Sequence, residues 1–375
     1  MTFRFEICHQ STKSKARVGK IHTPHGIIDT PNYVPVGTNG TLKAVDNAMF
    51  NQQDCQLMFC NTYHLALHPG EDVVAQAGGL HQFINRDKPI ITDSGGFQVF
   101  SMAYGSVANE LKSKGTKKHD NSVVKINEEG VKFRSYRDGS IFHLTPEKSV
   151  CIQKKLGADI IIPFDELPPY NCDKKALEQS LWRTHRWQMR SLETHLANIN
   201  NQAMYAVVHG GLDPILRSKS AAYLAQQPFD GYAIGGSLGK NCDDILTVLQ
   251  HSIPELPVHM PRHLLGIADI PSINRCVQYG LETFDSCYPS RAARHGTLLT
   301  SSGRLKIRSS RYKNDFNKID DNCSCWTCTH YTRAYLHHLF KTSEPCAHTL
   351  ATIHNMEQMF QHMAKLRAMI YDNAI

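Results

Sequence analysis

No stretch of this 375-residue chain approaches the roughly 18 consecutive apolar residues of a membrane-spanning helix. The opening Met1-Thr-Phe-Arg-Phe-Glu6 lacks the apolar core of a secretion signal, so a cytoplasmic location is expected. Internal repeats and extended low-complexity tracts are missing too, and 41% hydrophobic with 20% charged residues describes a soluble globular chain rather than a fibrous or disordered one. There is little net charge, +7 in all, so its distribution carries more information than its size. Disulfide-type spacing is also wanting. The 12 cysteines are spread over a long chain and most sit singly in apolar runs, which points to a reducing compartment.

What is present is a succession of short apolar runs with helix-compatible stretches between them. They are Tyr33–Val36, Leu57–Cys60, Ile90–Thr92, Asp159–Phe164, Met204–Val208, Tyr232–Ile234, His263–Ile267 and Thr283–Phe284. Continuous runs of this length suit parallel strands buried on both faces. Eight of them alternating with helices over about 250 residues predict a (β/α)8 barrel, an α/β fold. The expected division is an N-terminal antiparallel hairpin over 1–30, turning at Pro24-His25-Gly26, then the barrel over 31–300, then a smaller unit over 301–375. A polar, lysine-rich insertion near 104–122 reads as an exposed loop.

Polar residues recur where these strands end: Asn61, Asp93, Asp165, His209, Gly235-Gly236, Asp269 and Asp285. In parallel barrels chemistry gathers at the C-terminal strand ends, so these positions are expected to converge on one mouth. Helix N-capping accounts for single Asp or Asn residues there. It does not account for paired glycines or for Asp93-Ser-Gly-Gly-Phe-Gln98, where close approach of backbone to a ligand is the better reason. Asp285 leads into Arg291 and Arg294, and between Arg291 and Lys318 eight Lys or Arg residues face one acid, Asp315. That local excess fits a polyanion.

Cys323-Ser-Cys-Trp-Thr-Cys328 places three thiols within six residues, a knuckle suited to one tetrahedral zinc. Spacing leaves the fourth ligand open among His330, His337, His338, Cys346, His348 and His354. After it, Met356, Met359, Phe360, Met363, Leu366 and Ile370 follow helical spacing, predicting an amphipathic helix packed on this unit.

The constellation resembles the tRNA-guanine transglycosylases, enzymes that exchange a guanine in the tRNA anticodon for a 7-deazaguanine base. The matching runs are Asn61-Thr-Tyr-His-Leu65, Thr92-Asp-Ser-Gly-Gly-Phe-Gln-Val99, Phe164-Asp-Glu166, Asp230-Gly-Tyr-Ala-Ile-Gly-Gly236, Phe284-Asp285 with Pro289-Ser-Arg-Ala-Ala-Arg294, and the cysteine knuckle with Ile353-His354-Asn355. The resemblance implies Asp285 as nucleophile and Asp93 as proton donor and acceptor. It implies Asp165, Ser94, Phe97, His209, Gly235, Gly236, Leu167 and Gly239 around the base. Gly266, Ile267, Ala268, Asp269, Ser272, Ser290, Arg291 and Arg294 would meet the RNA. A structural Zn2+ would be held by Cys323, Cys325, Cys328 and His354. The partners it implies are a tRNA with a GUN anticodon, queuine or 7-aminomethyl-7-deazaguanine, and a second copy of the chain in a homodimer.

Three positions depart from the usual bacterial pattern: His209 replaces a glutamine, Leu167 a cysteine, and Ser237-Leu-Gly239 a Leu-Ala-Val run. A glycine at 239 is expected to enlarge the cavity beside the 7-substituent, as in queuine-using eukaryotic members. Asp269 stands where a glycine or a basic or hydroxyl residue is common. Two other readings compete. A non-catalytic tRNA-binding partner subunit would lack one of the two carboxylates, and a zinc-dependent barrel hydrolase would need metal ligands grouped at the strand ends, where only His209 qualifies.

Overall fold

Runs rich in β-branched and aromatic residues settle into strands because a pleated, two-sided buried surface suits them. The computed structural model describes residues 3–98 and 123–375, so the expected insertion near 104–122 lies outside the described residues. The chain opens with β1 (Arg4–Gln10), β2 (Arg17–Thr23) and β3 (Gly26–Thr30), an antiparallel three-stranded sheet. The expected turn at Pro24-His25 joins β2 to β3, and β1 adds a strand to that hairpin.

Next come β4 (Asn32–Pro35), β5 (Met58–Cys60) and β6 (Ile90–Thr92). A meander of β7 (Val123–Asn127), β8 (Gly130–Arg134) and β9 (Ile141–Leu144) then interrupts the alternation, which the sequence pattern had not separated from the barrel. The series resumes with β10 (Ile160–Ile161), β11 (Ala203–Val208), β12 (Gly231–Ile234), β13 (Arg262–Leu264) and β14 (Thr283–Ser286). Eight parallel strands lie in the order β4-β14-β13-β12-β11-β10-β6-β5. A parallel bridge between Val36 and Phe59, with Gly37 N–H donating to Phe59 O at 2.8 Å, brings β5 back to β4. This is the expected (β/α)8 barrel.

The period of two explains the continuous apolar runs. In β11, Ala203, Tyr205 and Val207 point into the barrel while Met204, Ala206 and Val208 face the helices, and all six are buried. The fourth barrel strand is shorter than expected because side chains take over its ladder. Gln153 brackets Ile162, accepting from its N–H at 3.0 Å and donating to its carbonyl at 2.8 Å, and Ser191 Oγ accepts from Phe164 N–H at 3.2 Å.

Ile21 and Ile28 of the N-terminal sheet join Val34, Ile91, Ile160 and Tyr205 in one interior cluster, so the sheet plugs the floor of the barrel. A buried carboxylate latches that plug. Asp159 Oδ1 is 2.7 Å from His25 Nδ1 in the β2–β3 turn, and its Oδ2 accepts from Ile90 N–H at 2.9 Å. With its floor filled, the barrel is open to ligands from the other end.

Past the barrel, β15 (Thr297–Thr300) and β16 (Gly303–Lys306) form a hairpin, followed by the cysteine cluster and the helix Cys346–Tyr371. That helix serves two cores. Ala347, Leu350 and Ala351 pack with the cysteine unit, whereas Met356, Phe360 and Met363 pack on the outer barrel, Phe360 lying 6.1 Å from Tyr33 and 6.2 Å from Phe50 between ring centroids. The expected stripe is real, and all six of its residues cover the barrel rather than the C-terminal unit.

Candidate active site at the barrel rim

Polar residues at the C-terminal strand ends are tied to one another around the rim. Asn61 after β5 donates to Asp93 after β6 at 2.6 Å. Ser94 Oγ donates to Asp165, beyond β10, at 2.7 Å, and Asp165 Oδ2 is 2.9 Å from His209 Nε2 after β11. His209 Nδ1 would stand 2.8 Å from a Cβ on Gly236 after β12, and a Cβ on Gly235 would meet Leu265 Cδ1 at 3.0 Å. Gly266 after β13 donates to Asp285 of β14 at 2.8 Å, and Tyr33 Oη of β4 donates to Ser286 O at 2.7 Å. Residues nearly 200 positions apart thus share one mouth.

Asp93 receives three hydrogen bonds, from Asn61 Nδ2, Thr62 N–H at 2.8 Å and Gln98 Nε2 at 2.7 Å. Burial nevertheless raises its carboxyl to about 6, the three donors pulling the other way and the nearby Asp165 charge adding to the rise. A carboxyl in that range exchanges protons in both directions near neutrality.

Asp285 is buried, with 7% of its surface exposed. Its Oδ1 is held by Gly266 N–H and lies 3.0 Å from His263 Nε2, whose Nδ1 is 2.8 Å from Thr283 Oγ1. Oδ1 is thus anchored, while among the described residues nothing hydrogen-bonds Oδ2. Sequence reasoning missed His263. The signal was there, a histidine opening an apolar run one residue before its strand ends.

Asp165 is backed on both oxygens by Ser94 and His209. Gly96 is required beneath it, since a Cβ there would stand 2.3 Å from Asp165 O. Leu167 and Gly96 line a cavity of about 200 Å³ that opens beside Asp165, with Gln179 and Arg183 on its far wall. Arg183 is paired with Glu166 at 2.8 Å. Phe97 is half exposed at the mouth.

Gly239 has another reason than cavity size. Its φ is +92° and its Cβ would fall 2.2 Å from Asp244 Cβ, so the glycine is set by the turn into the helix Cys242–Ser252. The RNA-side expectations divide in the same physical way. Gly266 and Arg291 are exposed, and Ile267 and Arg294 partly so. Ala268, Ser272 and Ser290 are buried, and Ser290 Oγ donates to Cys287 O at 3.1 Å. Asp269 caps the helix Ile270–Cys276, accepting from Ser272 N–H at 3.1 Å, which explains an acid in this loop without any RNA contact.

At the C-terminal unit, Cys323, Cys325, Cys328 and His354 are all buried with their ligand atoms within 4.8 Å of one another. His354 Nδ1 faces the thiols at 3.3–3.7 Å while its Nε2 donates to Leu299 O at 2.7 Å, the outer hydrogen bond that fixes a metal-binding tautomer. The other candidates are engaged elsewhere or exposed: His330 stacks on Trp326, His337 bonds Ile307 O, and Cys346 is at the surface. Asn355 beside it donates to Pro289 O and Thr297 O, each at 3.0 Å, tying the cluster to the segment that follows Asp285.

A closed parallel barrel with carboxylates ringing its C-terminal mouth belongs to the (β/α)8 barrel enzymes. The family described as queuine tRNA-ribosyltransferase matches residues 11–375. The chain is 62% identical to a queuine tRNA-ribosyltransferase of Protochlamydia amoebophila over 373 residues, covering 100% of this chain and 96% of the relative. It is 55% identical to that of Chlamydia muridarum and 52% to that of Chlamydia caviae, each over 376 residues and the full length of both chains. The chain belongs to the queuine tRNA-ribosyltransferase family.

Proposed function

We propose that this protein exchanges the wobble guanine of a tRNA with a GUN anticodon for a 7-deazaguanine base through a covalent RNA–enzyme intermediate. The observation that carries this reading is the contrast between two carboxylates on one rim. Asp285 has one oxygen anchored and one unencumbered, which suits attack on ribose C1′ and stabilisation of the oxocarbenium-like charge that develops there. Asp93, raised to about 6, protonates the departing guanine and later takes a proton from the incoming base. Asp165 accepts from the N1–H and exocyclic amine of a guanine-type face, and the Gly236 N–H meets O6. A stacked base cannot reach such a site, so the target nucleotide is splayed out of the anticodon loop. Gly266, Ile267, Arg291 and Arg294 remain as the accessible positions for the neighbouring RNA.

The pH dependence follows from Asp93. Its proton is needed for guanine to leave, so single-turnover adduct formation declines above pH 6, by about tenfold per unit once the acid form is scarce. A rapid-quench pH series measures this, and a rate that stays flat from pH 6 to 8 removes Asp93 from the role.

Queuine is the proposed incoming base. Leu167 and the cavity beside Asp165 support it, whereas Gly239 does not, for the reason given above. Exchange into guanine-containing tRNA with queuine and with 7-aminomethyl-7-deazaguanine tests the choice: good turnover with the aminomethyl base and none with queuine contradicts it.

Residues 1–30 plug the barrel, 31–300 carry the chemistry and 301–375 hold one structural Zn2+ on the Cys3His set, whose soft thiolates and single imidazole suit that ion. Phe316, Trp326 and Tyr335 are exposed on this last unit, large apolar side chains that a second copy would cover in a homodimer. No helix among the described residues is long and apolar enough to cross a membrane, and a tRNA substrate places the protein in the cytoplasm.

A further inference from the structure

His209 does not aim its donor at open space where a base would lie. It is almost fully buried, and its Nε2 is committed to Asp165 Oδ2 at 2.9 Å. The backbone on either side is fixed. His209 N–H donates to Ser220 Oγ at 3.2 Å, that hydroxyl is 2.9 Å from His185 Nε2, and His185 stacks on Tyr223 with centroids 4.7 Å apart. On its other side the ring abuts Gly236, where a Cβ would stand 2.8 Å from Nδ1. The imidazole is therefore wedged between the carboxylate and the glycine that together read the base in the proposed function.

The count of lone pairs gives this placement a consequence. An ionised carboxylate offers about four acceptor sites, two on each oxygen. Ser94 Oγ takes one on Oδ1 and His209 Nε2 takes one on Oδ2. Among the described residues nothing else bonds this carboxylate, which leaves one site per oxygen, a pair that matches two neighbouring N–H donors on a single ligand edge. Guanine and 7-deazaguanine bases carry such an edge in N1–H and the 2-amino group; a hypoxanthine-type base carries only the first.

We propose that His209 is a positioning residue for base specificity: with Ser94 it clamps Asp165 from behind and leaves a two-acceptor fork that selects bases bearing the 2-amino group. This rests on the transglycosylase reading of the same rim. It differs from a role as direct donor to O6 or N7, because the Nε2 that would donate is spent on Asp165. Loss of the clamp lets the carboxylate rotate, which weakens base binding without removing either reacting carboxylate.

The test uses the full-length protein, guanine-containing tRNA, and guanine or hypoxanthine as the free base. His209→Asn, too short to reach Oδ2, raises the KM for guanine roughly ten- to a hundredfold, the scale of a hydrogen bond to a charged group. The effect falls on KM more than on kcat, and the preference for guanine over hypoxanthine shrinks by a similar factor. His209→Gln, long enough to donate, restores the KM to within about threefold of the parent. A purely structural histidine would instead lower stability and kcat alike, with no rescue by glutamine and no change in base preference, and that pattern overturns the assignment. So does an unchanged KM and preference in His209→Asn. Covalent adduct formation by the parent protein is scored in parallel. Its absence fails the transglycosylase reading itself, whereas its presence with unchanged preference fails only the role of His209.

Discussion

Replacing Asp285 with asparagine abolishes the covalent RNA–protein band on a denaturing gel and lowers base exchange by about four to six orders of magnitude, the range seen when a catalytic nucleophile is removed. Asparagine is nearly isosteric, and its carbonyl oxygen still accepts from Gly266 N–H, the bond that Asp285 makes at 2.8 Å. What disappears is the charge and the nucleophilic oxygen. The Asp285→Asn protein is therefore expected to melt within a few degrees of the parent, so loss of the band reports chemistry and not unfolding. A band that persists in Asp285→Asn assigns the nucleophile to another residue.

Metal removal has the second large effect, and it falls on stability. Cys323, Cys325, Cys328 and His354 crowd together inside the protein, their ligand atoms within 4.8 Å of one another. Structural zinc in such sites contributes on the order of 10 kcal/mol, comparable with the whole stability of a domain. Chelation, or Cys328→Ser, is expected to lower the thermal midpoint by more than about 10 °C and to release one equivalent of zinc per chain. The loss is expected to disturb the segment after Asp285 as well, because Asn355 donates to Pro289 O and Thr297 O and so ties the helix Tyr288–Arg294 to the C-terminal unit. Protein that contains no metal by elemental analysis yet melts as before under chelation would contradict this.

The barrel was legible because its strands are buried on both faces, which turns each into a run of apolar residues that a single sequence displays. Ile160 and Ile161 show the limit: the run continues to Phe164, but Gln153 and Ser191 take over the backbone bonds, and no local pattern announces partners contributed by a helix. The meander β7–β9 was missed because its residues are mixed in polarity and it sits after a polar tract. At the rim, Asp93, Asp165 and Asp285 stood at strand ends, where helix capping explains a lone aspartate equally well, and their roles came from the family resemblance.

What could not be read was which polar group each carboxylate meets. Asp269 also caps a helix, and Gly239 sits at positive φ in a tight turn against Asp244, and neither duty shows in the residue letters. His263 was hidden inside its own strand run, where an inward-facing histidine and an outward-facing leucine read alike. Direction is a property of the fold, and the residue letters do not carry it.

In the proposed reaction Asp285 and Asp93 act on one glycosidic bond, Asp285 by bonding to the sugar. Trapping the protein with guanine-containing tRNA, digesting both components and sequencing the modified peptide by mass spectrometry tests it most directly. A ribonucleotide remnant is expected on the peptide spanning Thr283 to Arg291, located on Asp285. A remnant on Asp93, on Asp165 or on any residue away from the rim would contradict it.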